Sequence, residues 1–463
     1  MRLTTDGRVL DDRETDAVIE AALAILERTG VRVEHAGILA RLAEHGASVD
    51  PAPQVAHFPL AVMTDFLAAS RRREPPDGTV RFTGSAEIYE GRYLDPRDGS
   101  YRPWTEQALL EYVRLARALP SVGAASMLGL PLDTWPRALQ PLTEKLFAWK
   151  WGIDGGNAIW DTALCPRIHR MWCAWADYRG RDVRDLFNGT VYLVSPLRFA
   201  SAEAAQYAWF AAHGLEVGVG SLGSLGGTAP VTPAGALAMQ TAEGLFLNFL
   251  RRAFFGHRDL RLGTSLSVVD MRTGSFQYGR PEQALLNIAG AAVARRLGAH
   301  HGGHAGLSDA KAPGFEAAAQ KVASAVFTGQ ATGHGSIACG LLAVDEVFSP
   351  EQLVLDAEAL SWLQRLSGGI DVDAETLAVE AVAAAGWGGD FLSSDHTARQ
   401  FARSLWSPAV FSTESFARWS AGGSRGEREA ARDRARDLLA AAPPLEPQMP
   451  ARLERQLSLI IDE

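Results

Sequence analysis

The segment His-His-Gly-Gly-His-Ala-Gly-Leu-Ser-Asp-Ala-Lys at 300–311 holds three of the chain's eleven histidines, three glycines, an aspartate and a lysine. That mixture suits a metal, a base or a polar ligand. Metal binding would draw on His300, His301, His304 and Asp309, but one short glycine-broken loop would then supply every ligand, and no His-Glu-x-x-His or paired Cys-x-x-Cys supports it. Packing of some histidines beneath the loop competes with a role in binding. Polar binding by Asp309 and Lys311 fits the mixture better than metal does.

Cys165, His169 and Cys173 in "CPRIHRMWC" stand at i, i+4 and i+8. On a straight helix the outer two lie roughly 12 Å apart, too far for one ion held by bonds of ~2.0 to 2.3 Å, so the stripe reads as a packed face. Trp149, Trp151 and Trp160 crowd "FAWKWGIDGGNAIW". Indoles are most often core, and the alternative is an aromatic wall for a cation. Lysine is scarce: Lys145, Lys150, Lys311 and Lys321 are the only four in an arginine-dominated chain, which draws attention to Lys150 and Lys311. No Gly-x-Ser-x-Gly, Walker loop or Gly-x-Gly-x-x-Gly opening a βαβ unit is present.

The elements that must position these residues follow from periodicity. "DDRETDAVIEAALAILERTG" is an amphipathic helix opened by Asp11 and Glu14 and closed by Gly30, and "AGILARLAEHG" is a second. They make a helical N-terminal region over 1–78, ending in the turn "RRREPPDG". A small β-meander is expected over 79–105, with Asp98-Gly99 at its hairpin. From 106 to 420 helical stretches alternate with short apolar runs, the pattern of a parallel sheet covered by helices. The expected fold is α/β, a (β/α)8 TIM-type barrel whose site is built from the loops after the strands, with a doubly wound sheet as the second choice. A helical tail fills 421–463.

Composition narrows the function. The 463 residues carry a net charge of -9, with 47% hydrophobic and 21% charged residues, ordinary for a soluble globular chain and unlike a nucleic-acid or anionic-membrane binder. Three cysteines make no disulfide framework, no apolar leader follows the first residues, and no apolar run is long enough to cross a bilayer. A cytoplasmic protein with small-molecule or protein partners is expected.

Taken in order, "IEAALAILERTGVRV", "ALPSVGAAS", "VSPL", "GGTAPVTPAGALA" followed by Glu243, "SVVDMRTGSFQYGRPE", "GGHAGLSDAKAPGFEAAAQK", "LVLDAEAL", "GGIDVDAETLA" and "GWGGDFLSSDHT" resemble the trimethylamine methyltransferase family, from about residue 10 to the 430s. This family is related to methanogenesis. Its members demethylate methylated amines and pass the methyl group to a corrinoid. Trimethylamine enzymes of the family carry pyrrolysine; this chain has only standard residues, which implies the branch acting on quaternary amines such as glycine betaine, proline betaine or carnitine. A histidine-rich 300–304 departs from the glycine and neutral residues expected there.

The resemblance implies a methyl donor of glycine betaine type and an acceptor corrinoid carried by a separate partner protein, since no Asp-x-His-x-x-Gly cobalamin signature occurs. It further implies no bound metal, no acid/base catalyst and a homo-oligomer. The expected substrate-binding set is His301, His304, Asp309, Lys311, Tyr278, Thr264, Gly227, Trp149, Trp151 and Lys150, with Asp309 and Lys311 sharing a hydrogen bond. A metal-dependent barrel hydrolase and a non-catalytic betaine-binding protein are the alternatives.

Overall fold

A computed structural model describes residues 9–74, 78–127, 129, 131–155 and 158–463. Part of the expected "RRREPPDG" turn, residues 75–77, lies outside these, as do 128 and 130 of the run "VGAASMLGL" and 156–157 of the tryptophan segment.

Strands and helices alternate from residue 81 to 368. The strands are β1 (Arg81–Ile88), β2 (Ala124–Met127), β3 (Asp154–Gly155), β4 (Thr190–Leu193), β5 (Gly218–Ser221), β6 (Arg261–Thr264), β7 (His300–Gly303) and β8 (His334–Cys339). After each comes a helix: α1 (Glu106–Arg117), α2 (Gln140–Trp151), α3 (Cys165–Arg179), α4 (Ser201–Ala212), α5 (Pro233–Phe255), α6 (Pro281–Leu297), α7 (Phe315–Thr332) and α8 (Pro350–Gly368). Glycines end several of them in the left-handed conformation, among them Gly152, Gly180, Gly256, Gly298 and Gly333, which lets the chain turn at once toward the next strand.

Parallel ladders run from β8 to β1, β2 and β3. A single bridge, Ala158 to Thr190, leads to β4, which pairs with β5. Beyond β5, Gly223–Leu225 pairs with Leu266–Val269, the continuation of β6, and β6 pairs with β7. Among the described residues no ladder joins β7 to β8. The nearest link is the Ala338 amide donating to the Gly306 carbonyl at 3.1 Å. The fold is therefore mixed α/β, and the closed (β/α)8 circle expected from the sequence is interrupted.

Two further expectations are redrawn. Residues 81–88 belong to the parallel sheet, and only Arg92–Leu94 with Tyr101–Pro103 forms the hairpin expected over 79–105. The N-terminal region contains strands as well as helices. Its Val31–Val33 pairs with Val55–His57 and, in parallel, with Arg198–Phe199 after β4. The helix Asp12–Arg28 starts at the expected Asp11/Glu14 capping box and buries Val18, Ile19, Ala22 and Leu26.

Apolar residues form two large clusters on opposite flanks. One joins the N-terminal region to α3–α6 and the outer faces of β4 and β6, and the other joins α1 and α8 to the outer faces of β1, β2 and β8. Beyond α8 the chain changes character. Of residues 370–424 only Gln400 and Val410 are buried, and Ile370, Val372, Val379, Trp387, Leu392 and Phe416 are exposed. Three successive amides, from Ala409, Val410 and Phe411, donate to the buried Glu358 carboxylate and pin this arm to α8. Two last helices return to the body. Glu427–Ala441 docks through Arg432 onto buried Glu351, and Ala451–Asp462 docks through Leu453, Leu457, Ile460 and Ile461.

Candidate active site

Alternation along the strands decides what lies inside the ring. Along β7 and the residue after it, His300, Gly302 and His304 border the lumen, whereas His301 and Gly303 lie against Thr264 and α6. The lumen set borders a cavity of about 700 Å³ that also meets Thr190, Tyr192, Gly218, Gly220, Arg261, Gly263 and Ser265 of neighbouring strands. Small residues keep it open: a Cβ at Gly302 would meet no atom within 4 Å, and one at Gly263 would come no nearer than 3.9 Å. On the outer side a second cavity of about 350 Å³ lies beside His301, Gly303, Ala294 and Thr328, but the approach of β7 and β6 to α6 is tight at two glycines. A Cβ at Gly303 would stand 2.1 Å from Asn287 Oδ1, and one at Gly290 of α6 would stand 1.9 Å from Thr264 Oγ1.

Tyr89, Tyr192, Tyr278, Trp160, His304 and Asp345 border the cavity near the C-terminal ends of the strands. Burial raises the hydroxyl pKa of all three tyrosines, so they stay neutral. Close by, Glu87 accepts from Ser85 and from Tyr89, each at 3.3 Å, and burial raises its carboxyl above the usual range. Asp345 is raised too, by burial and then by Glu346. Neutral aromatic faces beside carboxylates that lack full solvation make a good seat for an organic cation. His304 lies edge-on to Tyr278 at 5.9 Å; its ring is open to the cavity yet surrounded by protein, and burial lowers its pKa.

The loops at this rim are clamped by carboxylates. Glu243 on α5 is buried and accepts from Ser195 Oγ and the Leu197 amide, each at 2.9 Å, holding "VSPL" after β4. Asp309 accepts from the amides of Tyr278 and Gly279 at 2.8 and 2.9 Å and so positions the Tyr278 ring.

Of the residues expected from sequence, Tyr278 and His304 meet at the cavity. The others stand elsewhere. The His301 ring is 3.0 Å from Thr264 Oγ1 on the α6 side, where burial drives its pKa down to about 4. Asp309 spends both carboxylate oxygens on backbone amides. Lys311 is exposed outside the cavity, and its Nζ donates to the Asp309 backbone carbonyl, so the expected bond between the two side chains is replaced by one to the main chain. Gly227 sits in a turn closed onto the Ser224 carbonyl at 2.9 Å.

Trp149 is buried, stacked on Trp175 at 4.7 Å and edge-on to Trp172 at 5.0 Å, so it is core and not a cation wall. Trp151 packs near Phe147, and Lys150 pairs with Glu454 at 2.7 Å. Only Trp160 of the three crowded indoles reaches the cavity. Cys173 and His169 approach to 3.5 Å while Cys165 is buried, the packed helix face expected. No group of three or more metal-ligating side chains occurs among the described residues.

Sequence reasoning missed Glu87, Tyr89, Tyr192 and Asp345. A usable signal was present. Thr83, Ser85 and Glu87, Thr190 and Tyr192, Gly218 and Gly220, and Arg261, Gly263 and Ser265 recur at alternate positions of short strands, a polar and small inner row behind an apolar outer one.

The cavity lies among the parallel strands of a mixed α/β fold and is large enough for a small organic molecule. Residues 178–462 match the family model for trimethylamine methyltransferase, and the chain belongs to that family of methyltransferases. It is 26% identical over 408 residues to the trimethylamine methyltransferase MttB of Desulfitobacterium hafniense, covering 83% of this chain and 80% of that one. It is also 26% identical over 475 residues to a glycine betaine methyltransferase of the same species, covering 96% and 95%. The monomethylamine methyltransferase MtmB of Methanosarcina barkeri superposes with a TM-score of 0.44 at 11% identity over 96% of each chain.

Proposed function

We propose that the chain transfers a methyl group from a quaternary methylammonium donor of glycine betaine type, bound in the lumen, to a corrinoid presented by a separate protein. The observation that carries this reading is the seat made by Tyr89, Tyr192 and Tyr278 beside Glu87 and Asp345. Quaternary ammonium is held by aromatic faces and by diffuse negative charge, and needs no hydrogen-bond acceptor. The relatives named for trimethylamine and glycine betaine favour the same donor chemistry. We read the strands as a (β/α)8 barrel left open between β7 and β8.

The reduced corrinoid supplies the nucleophile that accepts the methyl group. The C–N bonding pair stays on nitrogen, so the donor leaves as a neutral tertiary amine and no proton has to be supplied. The residues therefore act by position: the tyrosines fix the nitrogen with one methyl toward the mouth, and the Asp309 and Glu243 clamps hold the loops that shape the seat. Cation binding is moderate by design, because positive charge on nitrogen falls toward the transition state. Exposed Trp160, Val231, Met271, Phe276 and Phe315 follow the C-terminal ends of β3, β5, β6 and β7, where a corrinoid protein would approach. They give a partner an apolar rim.

One rival reading, the metal hydrolase, loses ground on geometry. His301 faces α6 while His300 and His304 face the lumen, so the three cannot share one ion as a metal hydrolase would require. A binding protein without turnover is distinguished by experiment. Mixed with cob(I)alamin, the protein is expected to give the methylcobalamin spectrum with at least one quaternary amine and not with trimethylamine. Binding of betaines without any spectral conversion would leave only the binding-protein reading. We also read the enzyme as cytoplasmic and as a homo-oligomer, in which the apolar arm 370–424 would be covered by another copy.

A further inference from the structure

The second cavity, of about 350 Å³, lies beside β7 and the first half of β8, in the gap where no ladder joins the two strands among the described residues. It touches His301 and Gly303 on one face of β7 and His300 and Gly302 on the other, so it wraps the free edge of that strand. His334 and Ser336 of β8 close one side, and Ala291, Ala294 and Ala331 of α6 and α7 make an apolar back wall. Arg73, Glu74 and Arg295 border it as well.

The polar groups around this chamber are accessible and short of acceptors. The Arg73 side chain is exposed and bonds to no protein group among the described residues. Arg295 donates to the Ala331 carbonyl at 2.7 Å and keeps its positive charge in the wall. His300 is exposed, and neither of its ring nitrogens bonds to the described residues. His301 and His334 use Nε2 on Thr264 and Thr83 at 3.0 and 2.8 Å, which leaves Nδ1 of each without a protein partner. The half-buried Ser336 hydroxyl has none either. Against these groups stands one lining carboxylate, Glu74. The chain as a whole carries a net charge of -9, so the concentration of positive charge is local. The histidines feel it. Burial first, then Arg73 and Arg261 with Asp259 opposing, lowers the His300 pKa, and burial, then His300 and Arg295, holds His301 down at about 4. Positive groups crowded together without a counter-charge are relieved by an anion.

We propose that this chamber binds a small dianionic oxyanion, either free phosphate or the head of a phosphate monoester, between Arg73, His300, His334 and Ser336. Arg73 supplies a permanent charge and a planar fork of donors, Ser336 a hydroxyl, and the histidines further charge once the anion is in place. The chamber is larger than a bare oxyanion, and its alanine wall suits a short organic body behind the head. The site adjoins the lumen at His300 and Gly302 but uses none of the three tyrosines, so it stands independently of the methyl-transfer reading.

Isothermal titration of the full chain in a Bis-Tris chloride buffer with inorganic phosphate, glycerol phosphate, sulfate and acetate tests it. One equivalent of dianion is expected to bind about tenfold or more tighter than acetate, the margin of a further charge-assisted contact. The tighter of phosphate and glycerol phosphate identifies the source of the head group. Arg73→Gln should weaken every dianion about tenfold or more and Ser336→Ala by less, with urea midpoints unchanged, because neither side chain bonds to the described residues. Sulfate stays dianionic in mild acid, so in a Glu74→Gln background its affinity reads the histidines alone. Arg73, Arg261, Asp259 and Arg295, the other charged groups facing them, keep their charges there. Sulfate affinity should rise about threefold or more as pH falls from about 7.5 to about 5.5, since a bound anion lifts the depressed histidines toward protonation. No dianion bound at millimolar concentration, binding that Arg73→Gln leaves unmoved, or a sulfate affinity flat with pH would overturn the inference and leave the methylammonium reading untouched.

Discussion

The two faces of the run His300 to His304 differ in what a glycine does there. Outward, His301 and Gly303 meet α6 so closely that no β-carbon fits at Gly303 or at Gly290 opposite Thr264. Inward, His300, Gly302 and His304 look into open space. One run of five residues, "HHGGH", thus makes close contacts with α6 and lines the lumen. Glycine has opposite uses on the two sides: outside it permits contact, inside it preserves emptiness.

The largest effects should come from filling the wrong side. Gly290→Val and Gly303→Val each force a side chain into occupied volume and are expected to cost about 3 kcal/mol or more of folding stability in urea titrations. Gly302→Val enters empty space and should cost less than about 1 kcal/mol while reducing turnover about a hundredfold or more. Equal loss of stability at 302 and 303 would break the distinction between the faces.

Acid should expose the packed face next. His301 has its folded-state pKa lowered to about 4 by burial, below the ordinary histidine value, so the neutral ring is the one the fold accepts. Its contribution is fully present above about pH 6.5, declines as pH falls and is exhausted near pH 4, on the order of 3 kcal/mol in all. Stability curves at stepped pH should show this decline, shallower in His301→Gln. His300, His304 and His334 are shifted in the same direction by burial and steepen it.

Smaller effects belong to the lumen. Tyr192→Leu is expected to weaken quaternary ammonium binding by about 1 kcal/mol with the unfolding midpoint unchanged. Affinity for tetramethylammonium should also rise with pH across the acid range, because Glu87 and Asp345, raised by burial, attract a cation only once ionised. An affinity independent of pH in Glu87→Gln with Asp345→Asn, against a rising one in the parent protein, would assign the dependence to this pair.

The sequence made the alternation of βα units legible, because helical and strand periods differ and glycines punctuate the helix ends. The Asp11/Glu14 cap and the packed Cys165–Cys173 face were equally readable, since each depends on local spacing. The inner row of the strands was harder. Short strands with glycine, threonine and serine at alternate positions carry little hydrophobic signal, so β1 read as part of a meander and Glu87, Tyr89 and Tyr192 passed unnoticed. Asp309 and Lys311 drew attention by type, yet their partners are backbone groups that no side-chain inventory reveals. Trp149 likewise joins chemical promise in the sequence to ordinary packing in the fold.

The scarcity of lysine has a practical consequence. Lys145 is enclosed beside Trp149 and Trp172, and Lys321 is wholly buried with its ammonium on Asp356 at 2.6 Å. An amine-reactive dye therefore has two lysine targets, and Lys150 is tethered to Glu454. Lys311 is the more accessible, two residues beyond the clamp that holds Tyr278 and close in sequence to exposed Phe315. A fluorophore placed there by ordinary lysine chemistry, with no engineered cysteine, would sit on the face where a partner is expected. Its anisotropy would report docking and release in real time.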